Sequence, residues 1–598
     1  MNLVNRYQWG VILIAAGVFL LGCISPPGLM DDVDAVQAQI ARTMLETGDW
    51  ITPHLNKIAY MEKPPMKYWL IASFFSIFGV HDWVARLPIA LSIVFLCWIT
   101  FRFGKWTLSE RAGFQAGLAI ASCIGLFLFT RILIADVLIT LTITTSLWCF
   151  LRIIDDDEPK PLHYSILGAS SIGFGILLKG LIAFIFPIGI AGLYLIISRQ
   201  ILEKRVWQRV NLPVFILVLV IVSAPWHILA TLKNPPYFDF SMVSEPGKYR
   251  GFFWFYFFNE HILRFLGRRH PKDYNTVPLL SFWLLNLVWL FPWSSFLPSL
   301  KRLDFTFTPK NRLQRVCLLA ICWIATVMVF FSLSTTQEYY SMPIYPAVAL
   351  LIGLALDKKS ELPRFGLWLI TIVCTLASIA IISILYLVRN VSVSGDISNA
   401  LAKNEDVYNV YTLSLGHLGD LTLHSFAYLK LPLVMALISM LLGLSVIFFA
   451  RKNRDRACVI LAVMMIIFFQ AAHQALVVFE PYLGSRPLAE ALVDVPKGLV
   501  IFDNQYYTFS SVFFYAHPKE AVLLNGRINN LEYGSYAPGA PDVFIDETEF
   551  KTLWAKPDRC YLLVEKPSFT RLQELVGKES FYLVRESGGK LLLTNIKL

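Results

Sequence analysis

Charged residues are scarce in this chain. Asp, Glu, Lys and Arg supply only 16% of 598 residues, against 56% hydrophobic and 14% aromatic, and the mean hydropathy is +0.58. A soluble globular domain carries about 25% charged residues, so that class is excluded. Paired cysteines are missing as well. Cys97, Cys123, Cys149, Cys317, Cys322, Cys374 and Cys458 fall in or beside apolar runs, Cys23 ends the first run and Cys560 stands alone in the tail, which leaves no disulfide framework and no CxxC metal pair. There is no HExxH, no Gly-rich phosphate loop, no internal repeat and no low-complexity tract. The net charge of +10 gathers in no separate basic domain, which excludes nucleic acid as a partner.

Long apolar runs are what the chain has in abundance. Windows of membrane-crossing length lie near residues 9–26, 83–101, 112–130, 132–151, 162–178, 181–198, 211–230, 277–297, 316–334, 342–356, 365–388, 431–450 and 457–478. They predict a polytopic α-helical membrane protein of about thirteen helices. The first follows Arg6, as a signal peptide would, but "GCISPPG" lacks a cleavage pattern and the run is long enough to span.

Orientation follows from lysine and arginine. Alternate short loops hold Arg102, Lys105 and Arg111; Arg152 and Lys160; Arg199, Lys204, Arg205 and Arg209; Lys301, Arg302, Lys310, Arg312 and Arg315; Lys358, Lys359 and Arg364; and Arg451, Lys452, Arg454 and Arg456. The positive-inside rule puts these loops and the N-terminus in the cytoplasm and the C-terminus outside. The first outer loop, 31–80, then faces outward with segments 231–276 and 389–430 and the tail from 480. Within the tail, "GLVIF", "AVLLN" and "RCYLLVE" read as short strands alternating with helices at "SSVFFYAH", "ETEFKTLW" and "FTRLQELVG", with a last hairpin at "FYLVRESGGKLLLTN". The expected domains are a transmembrane unit, 1–479, and a soluble α/β domain, 480–598.

The first outer loop opens with "DDVDAVQAQIARTMLETGDW". Val36, Ile40 and Met44, with Ala41 and Leu45, predict an amphipathic helix over 35–47 lying on the membrane surface and ended by Gly48. A second apolar stretch, Pro65–Gly79, follows "MEKPP". Asp34 with Gln37 has the spacing of a capping box, which leaves Asp31 and Asp32 either as solvated interfacial charge or as functional acids. Asp136 in "TRILIADVLITLT" is a second acid at a span's outer end, a functional candidate unless Arg131 pairs with it. Cations on the predicted outer side, Lys63, Lys67, Arg131, Lys179, Arg264, Arg268 and Arg269, call for an anionic partner. Glu62, Asp31 and lipid phosphate are the structural options. A cavity binding a phosphate beside a proton-accepting carboxylate is the functional one.

The stretch "DDVDAVQAQIARTMLETGDWITPHL", followed by "YMEKPPMKYW", resembles the first outer loop of the aminoarabinose transferase family, glycosyltransferase family 83, related to protein O-mannosyltransferases and sharing the GT-C membrane fold. The similarity runs over about residues 20–360 through "IADVLIT", "LLKGLIAFIFP", "APWHI", "FNEHILRF" and "FFSLSTTQEYYSMPIYPAVAL". It implies a glycosyltransferase that moves a sugar from a polyprenyl phosphate to a lipid, glycan or protein acceptor on the outer face of the bacterial inner membrane. Asp32 stands one residue further from Glu62 than the family's acid and Asp34 one residue nearer, so both are candidates, and the capping role of Asp34 favours Asp32. By position the resemblance makes Asp136 a second acid, matches Tyr60, Glu62 and Lys63 to the family's "YFEKP" loop, and puts Lys179, His261 and Arg264 in the cavity, with Tyr340 and Tyr345 in a "Y-x-L-P" region. The "STTQEYY" here lacks the lysine that often precedes that tyrosine.

In chemical terms Asp32 is the candidate base, Lys63, Lys179 and Arg264 the phosphate clamp, and Asp136 the group that orients acceptor or cation. His261 reads as a hydrogen-bonding residue. A departing phosphate needs no metal, so a polyprenyl-phosphate sugar is the only co-substrate expected, and a monomer is the expected state. The alternatives are an oligosaccharide ligase or polymerase, and a lipid flippase or transporter, although the chain shows no inverted repeat halves.

Overall fold

The computed structural model describes residues 3–24, 27–271, 277–359, 361–401, 420–450 and 453–598. Asp406, in the middle of the segment 389–430, and the basic pair Arg451 and Lys452 lie outside the described residues.

All thirteen apolar windows are helical, but they do not all qualify as spans. Among the described residues ten helices are long and apolar enough to cross a membrane, and the bent pair Leu279–Trp289 and Trp293–Arg302, meeting at 91°, makes an eleventh. Two windows fall short. One breaks at Ser122 into Glu110–Ala121 and Ile124–Phe129. The other, Ile182–Ile197, has 16 residues, about 24 Å of helix against a hydrocarbon core of about 30 Å. Both still link the two ends of the bundle: Ile182–Ile197 runs from the Leu181 amide on His261 to the segment whose Arg209 donates to the Asp155 carbonyl. The bundle is graded from centre to rim: the apolar window of Glu338–Asp357 is 94% buried, that of Lys204–Lys233 only 6%.

The loops sort to two ends. At one end the basic loops bind one another: Asp155 takes Arg312 at 2.8 Å and Arg315 at 3.4 Å, Asp357 takes Arg454 at 3.4 Å, and Asp455 takes Arg111 at 3.0 Å. The other end carries the acidic turn 31–34, the hairpin β1 (His54–Leu55) and β2 (Ile58–Ala59), and the C-terminal domain. That domain holds a six-stranded sheet of β3 (Leu499–Asp503), β4 (Ala521–Leu524), β5 (Phe544–Ile545), β6 (Cys560–Glu565), β7 (Tyr582–Ser587) and β8 (Lys590–Thr594), ordered β5-β4-β3-β6-β8-β7. Ile501 in β3 pairs in parallel with Val522 and Leu562, and β8 returns antiparallel to β6. The three strands and the hairpin expected from sequence are present; β5, two residues long, and the helix Asn529–Ser535 were not expected. Gly588, at φ 63°, turns the hairpin where any side chain would run into the Pro481 carbonyl at the foot of the last membrane helix.

The first loop forms the two helices expected, Asp34–Thr47 and Met66–Phe78. Gly48 at φ 71° returns its N–H to the Met44 carbonyl. Two expectations fail here. Asp34 is the first helical residue and makes no capping bond. The helix also does not lie open on a membrane surface: it packs between Met66–Phe78 and the C-terminal domain's Ser510–Tyr515, with Val36, Ile40, Ala41 and Met44 buried and Arg42 Nη1 donating to the Phe514 carbonyl at 2.8 Å. Protein covers the apolar face that was expected to meet lipid.

Candidate functional site

The three aspartates of the opening turn have three different fates. Asp31 is gripped by the C-terminal domain, its Oδ2 accepting from Lys590 Nζ at 2.7 Å and Ser485 Oγ at 2.6 Å and its Oδ1 from the Ser511 amide at 2.7 Å. Asp34 is wholly buried; Arg86 Nη2 donates to it at 3.2 Å and the Leu133 amide at 2.8 Å. Arg86 is itself anchored on the Pro27 and Gly28 carbonyls. The alternative of Asp34 as catalytic acid is therefore corrected: it is a structural anion with no open side. Asp32 differs from both. It is exposed, sits at φ 70°, donates its amide to the Tyr507 carbonyl at 2.9 Å, and among the described residues no donor binds its carboxylate. The surrounding protein limits its hydration and Asp31 repels it, which together push its pKa up to about 6. Reachable yet walled by protein, it is a carboxylate poised to take a proton near neutrality.

Tyr507 borders Tyr60, and from there a polar chain crosses the site. Tyr60 Oη donates to Glu62 at 2.7 Å and Lys63 Nζ pairs with Glu62 at 2.6 Å. Burial opposes the Glu62 anion, but Lys63, Arg269 and Arg264 outweigh it and hold the carboxyl well below its usual range. Arg264 and Arg269 reach in from the segment after the π-helix Trp254–Leu263. Arg269 Nη1 donates to both Glu260 oxygens, at 2.6 and 2.8 Å, and Arg264 donates to Glu260 at 3.3 Å and to the Tyr340 hydroxyl at 3.4 Å. Lys67, an outer-side cation not among the phosphate clamp expected on sequence, donates to Gln37 at 2.6 Å and the Leu133 carbonyl at 3.1 Å. Burial and then Lys63 lower its pKa to about 7. Lys63, Arg264 and Arg269 thus gather around Glu62 and Glu260, with Lys67 beside them held by neutral partners, and such a cluster of cations suits an anion.

Other expected residues land differently. Asp136 is ion-paired with Lys179, which lies over the Tyr340 ring at 4.7 Å. Arg131 does not pair with Asp136 but stacks on Phe127 at 4.7 Å. His261 staples two elements together: its Nε2 accepts from the Leu181 amide at 3.2 Å, which makes Nδ1 the protonated nitrogen, donating to the Tyr256 carbonyl. Burial lowers its pKa to about 4. Tyr345 is wholly buried against Gly125 and Trp289, in the core rather than the cavity. Behind the π-helix lies an apolar cavity of about 390 Å³ lined by Leu181, His227, Phe238, Phe253, Tyr256 and Phe257. Lys590, Ser485 and Tyr507 had no sequence signal, since each depends on a tail that closes over the loop from more than 450 residues away.

A polytopic membrane bundle with a polar, cation-rich site beneath a small α/β domain is the GT-C architecture, and the chain has that fold. The ArnT protein of Cupriavidus metallidurans bound to undecaprenyl phosphate superposes with a TM-score of 0.76 at 19% identity, over 99% of this chain and 98% of that one; its apo form gives the same score. Residues 62–226 match the family described as dolichyl-phosphate-mannose-protein mannosyltransferase. The undecaprenyl phosphate-alpha-4-amino-4-deoxy-L-arabinose arabinosyl transferase of Pseudomonas paraeruginosa is 29% identical over 365 residues, 59% of this chain and 60% of that one, and its Aeromonas hydrophila counterpart is 25% identical over 373 residues. The chain thus spans about 60% of the length of the curated relatives it matches.

Proposed function

We propose that the protein is a glycosyltransferase that moves a sugar from a polyprenyl phosphate to a lipid acceptor at the outer face of the bacterial inner membrane, with its C-terminal domain periplasmic. The observation that carries this reading is an accessible carboxylate, Asp32, with no donor on it among the described residues, joined through Tyr507, Tyr60 and Glu62 to a cation-rich site. Asp32 takes the proton of the acceptor hydroxyl as its oxygen bonds to the anomeric carbon. The bond from that carbon to the phosphate oxygen breaks, and the lipid phosphate leaves as a dianion. Lys63 and Arg264 meet the charge that grows on the leaving oxygens, where removing a donor costs most in the transition state. Asp136 and Lys179 stay paired and shape the sugar pocket. The apolar cavity at Phe253 and Phe257 fits a polyprenyl tail, whose isoprenes gain about 25 cal/mol per Å² buried. One direct displacement inverts the anomeric centre.

The relatives' names support a pentose donor carried on undecaprenyl phosphate. Lipid mass spectrometry of a strain lacking the gene should show an accumulating polyprenyl-phosphate sugar and one missing glycosylated lipid. Unchanged polyprenyl-phosphate sugars contradict the reading.

A further inference from the structure

The grip on the acidic turn comes from the C-terminal domain and from the foot of the last membrane helix. Lys590, on β8, meets Asp31 while also donating to Ser485 Oγ at 3.1 Å and the Thr508 carbonyl at 2.7 Å, and it lies over the Phe509 ring at 5.2 Å. Both charges are nearly out of solvent, the Asp31 and Lys590 side chains being 8% and 10% exposed. The Asp31 amide donates to the Leu483 carbonyl and the Asp32 amide to that of Tyr507, each at 2.9 Å. Two consecutive residues are thus fixed, the first along backbone and side chain and the second through its amide, and the second sits in the left-handed region, which aspartate accepts more readily than most residues.

We propose that Lys590 is a positioning residue for Asp32 that acts through Asp31: it neutralises the Asp31 carboxylate and ties the turn to the C-terminal domain, so that the domain completes the active site. The inference rests on Asp32 as the base. The charged and titratable groups facing the turn are Asp31 beside it, Lys590 on β8, Tyr506 and Tyr507 from the C-terminal domain, and Tyr60 beyond Tyr507. Asp34 and Arg86 lie behind it as a closed pair. Among the described residues Lys590 is the cation in contact with the Asp31–Asp32 turn, so its removal leaves the Asp31 charge uncompensated beside the base, and removal of the Asp31 charge leaves that of Lys590 uncompensated.

The two substitutions should therefore move Asp32 in opposite directions, which a purely structural role for Lys590 does not produce. Protonation of Asp32 is read directly, without substrate, from the pH dependence of carbodiimide labelling followed by peptide mass spectrometry of the full-length protein in nanodiscs. Lys590→Met should raise the midpoint by about one pH unit and Asp31→Asn should lower it by about as much, with Lys590→Arg unmoved. The acidic limb of kcat/KM for transfer should shift in the same order. If Lys590→Met does not fold, Lys590→Gln, which removes the charge but can still donate to Ser485 and Thr508, takes its place in the comparison with Asp31→Asn. Coincident midpoints, or shifts in one direction, alongside normal transfer overturn the inference and leave the transferase reading standing. Opposite shifts in a protein that transfers nothing overturn the transferase reading while supporting the control of Asp32 by Lys590.

Discussion

Asp32 and Asp34 stand two residues apart and meet opposite environments, so the same substitution has opposite consequences. Asp34→Asn leaves Arg86 buried without its anion, which costs about 3–5 kcal/mol and should appear as a large fall in melting temperature and folded yield. Asp32→Asn should be tolerated, because asparagine also accepts a positive φ. Its effect on stability depends on pH. The native pKa of about 6 lies above the ordinary carboxylate value, so the folded state holds the proton more tightly, and stability is lost as pH rises from about 4 to 6. Removing the charge should raise the melting temperature at pH 8 and leave it unchanged at pH 4; a gain at pH 4 alone contradicts the assignment. The sequence made both residues visible but reversed the grounds. A capping pattern drew attention to Asp34, and its real partner, 52 residues on, left no local trace.

At the scale of elements, the π-helix Trp254–Leu263 brings Glu260 toward Arg264 and Arg269 and seats His261 on the start of Ile182–Ile197. Gly180, at φ 76°, makes this seat, since a Cβ there would run into His261 Nε2. Gly180→Ala should displace the histidine and with it the arginines: donor KM should rise several-fold and melting should fall, with kcat less affected. An unchanged KM contradicts the staple. With its pKa near 4, His261 stays neutral from pH 5 to 9 and should add no limb to the pH profile. Helices of 20 apolar residues were legible because their length is the signal. The break at Ser122 and the π-turns were not, because both arise from packing against neighbours rather than from composition. The strand β5 hid for a different reason: two residues give no period to read.

For the whole molecule, alternation of lysine and arginine grouped the loops correctly by end, as the ion pairs from Asp155, Asp357 and Asp455 show. What it did not contain was the closure of the C-terminal domain over the acidic turn, a contact spanning 559 positions. That closure puts the sheet and the site on one side of the membrane. Reporter fusions at Lys204, Lys310 and Lys358 should read cytoplasm, and those at Pro235 and Leu598 the outside; a cytoplasmic Leu598 removes the compartment in which the proposed donor is used. The central claim is that Asp32 takes the acceptor's proton, and the direct measurement is transfer from a purified polyprenyl-phosphate sugar by Asp32→Asn in nanodiscs, with donor binding and melting measured on the same sample. The account predicts a fall in kcat of roughly 100-fold or more with binding and folding intact. Near-normal turnover by a folded Asp32→Asn would contradict it.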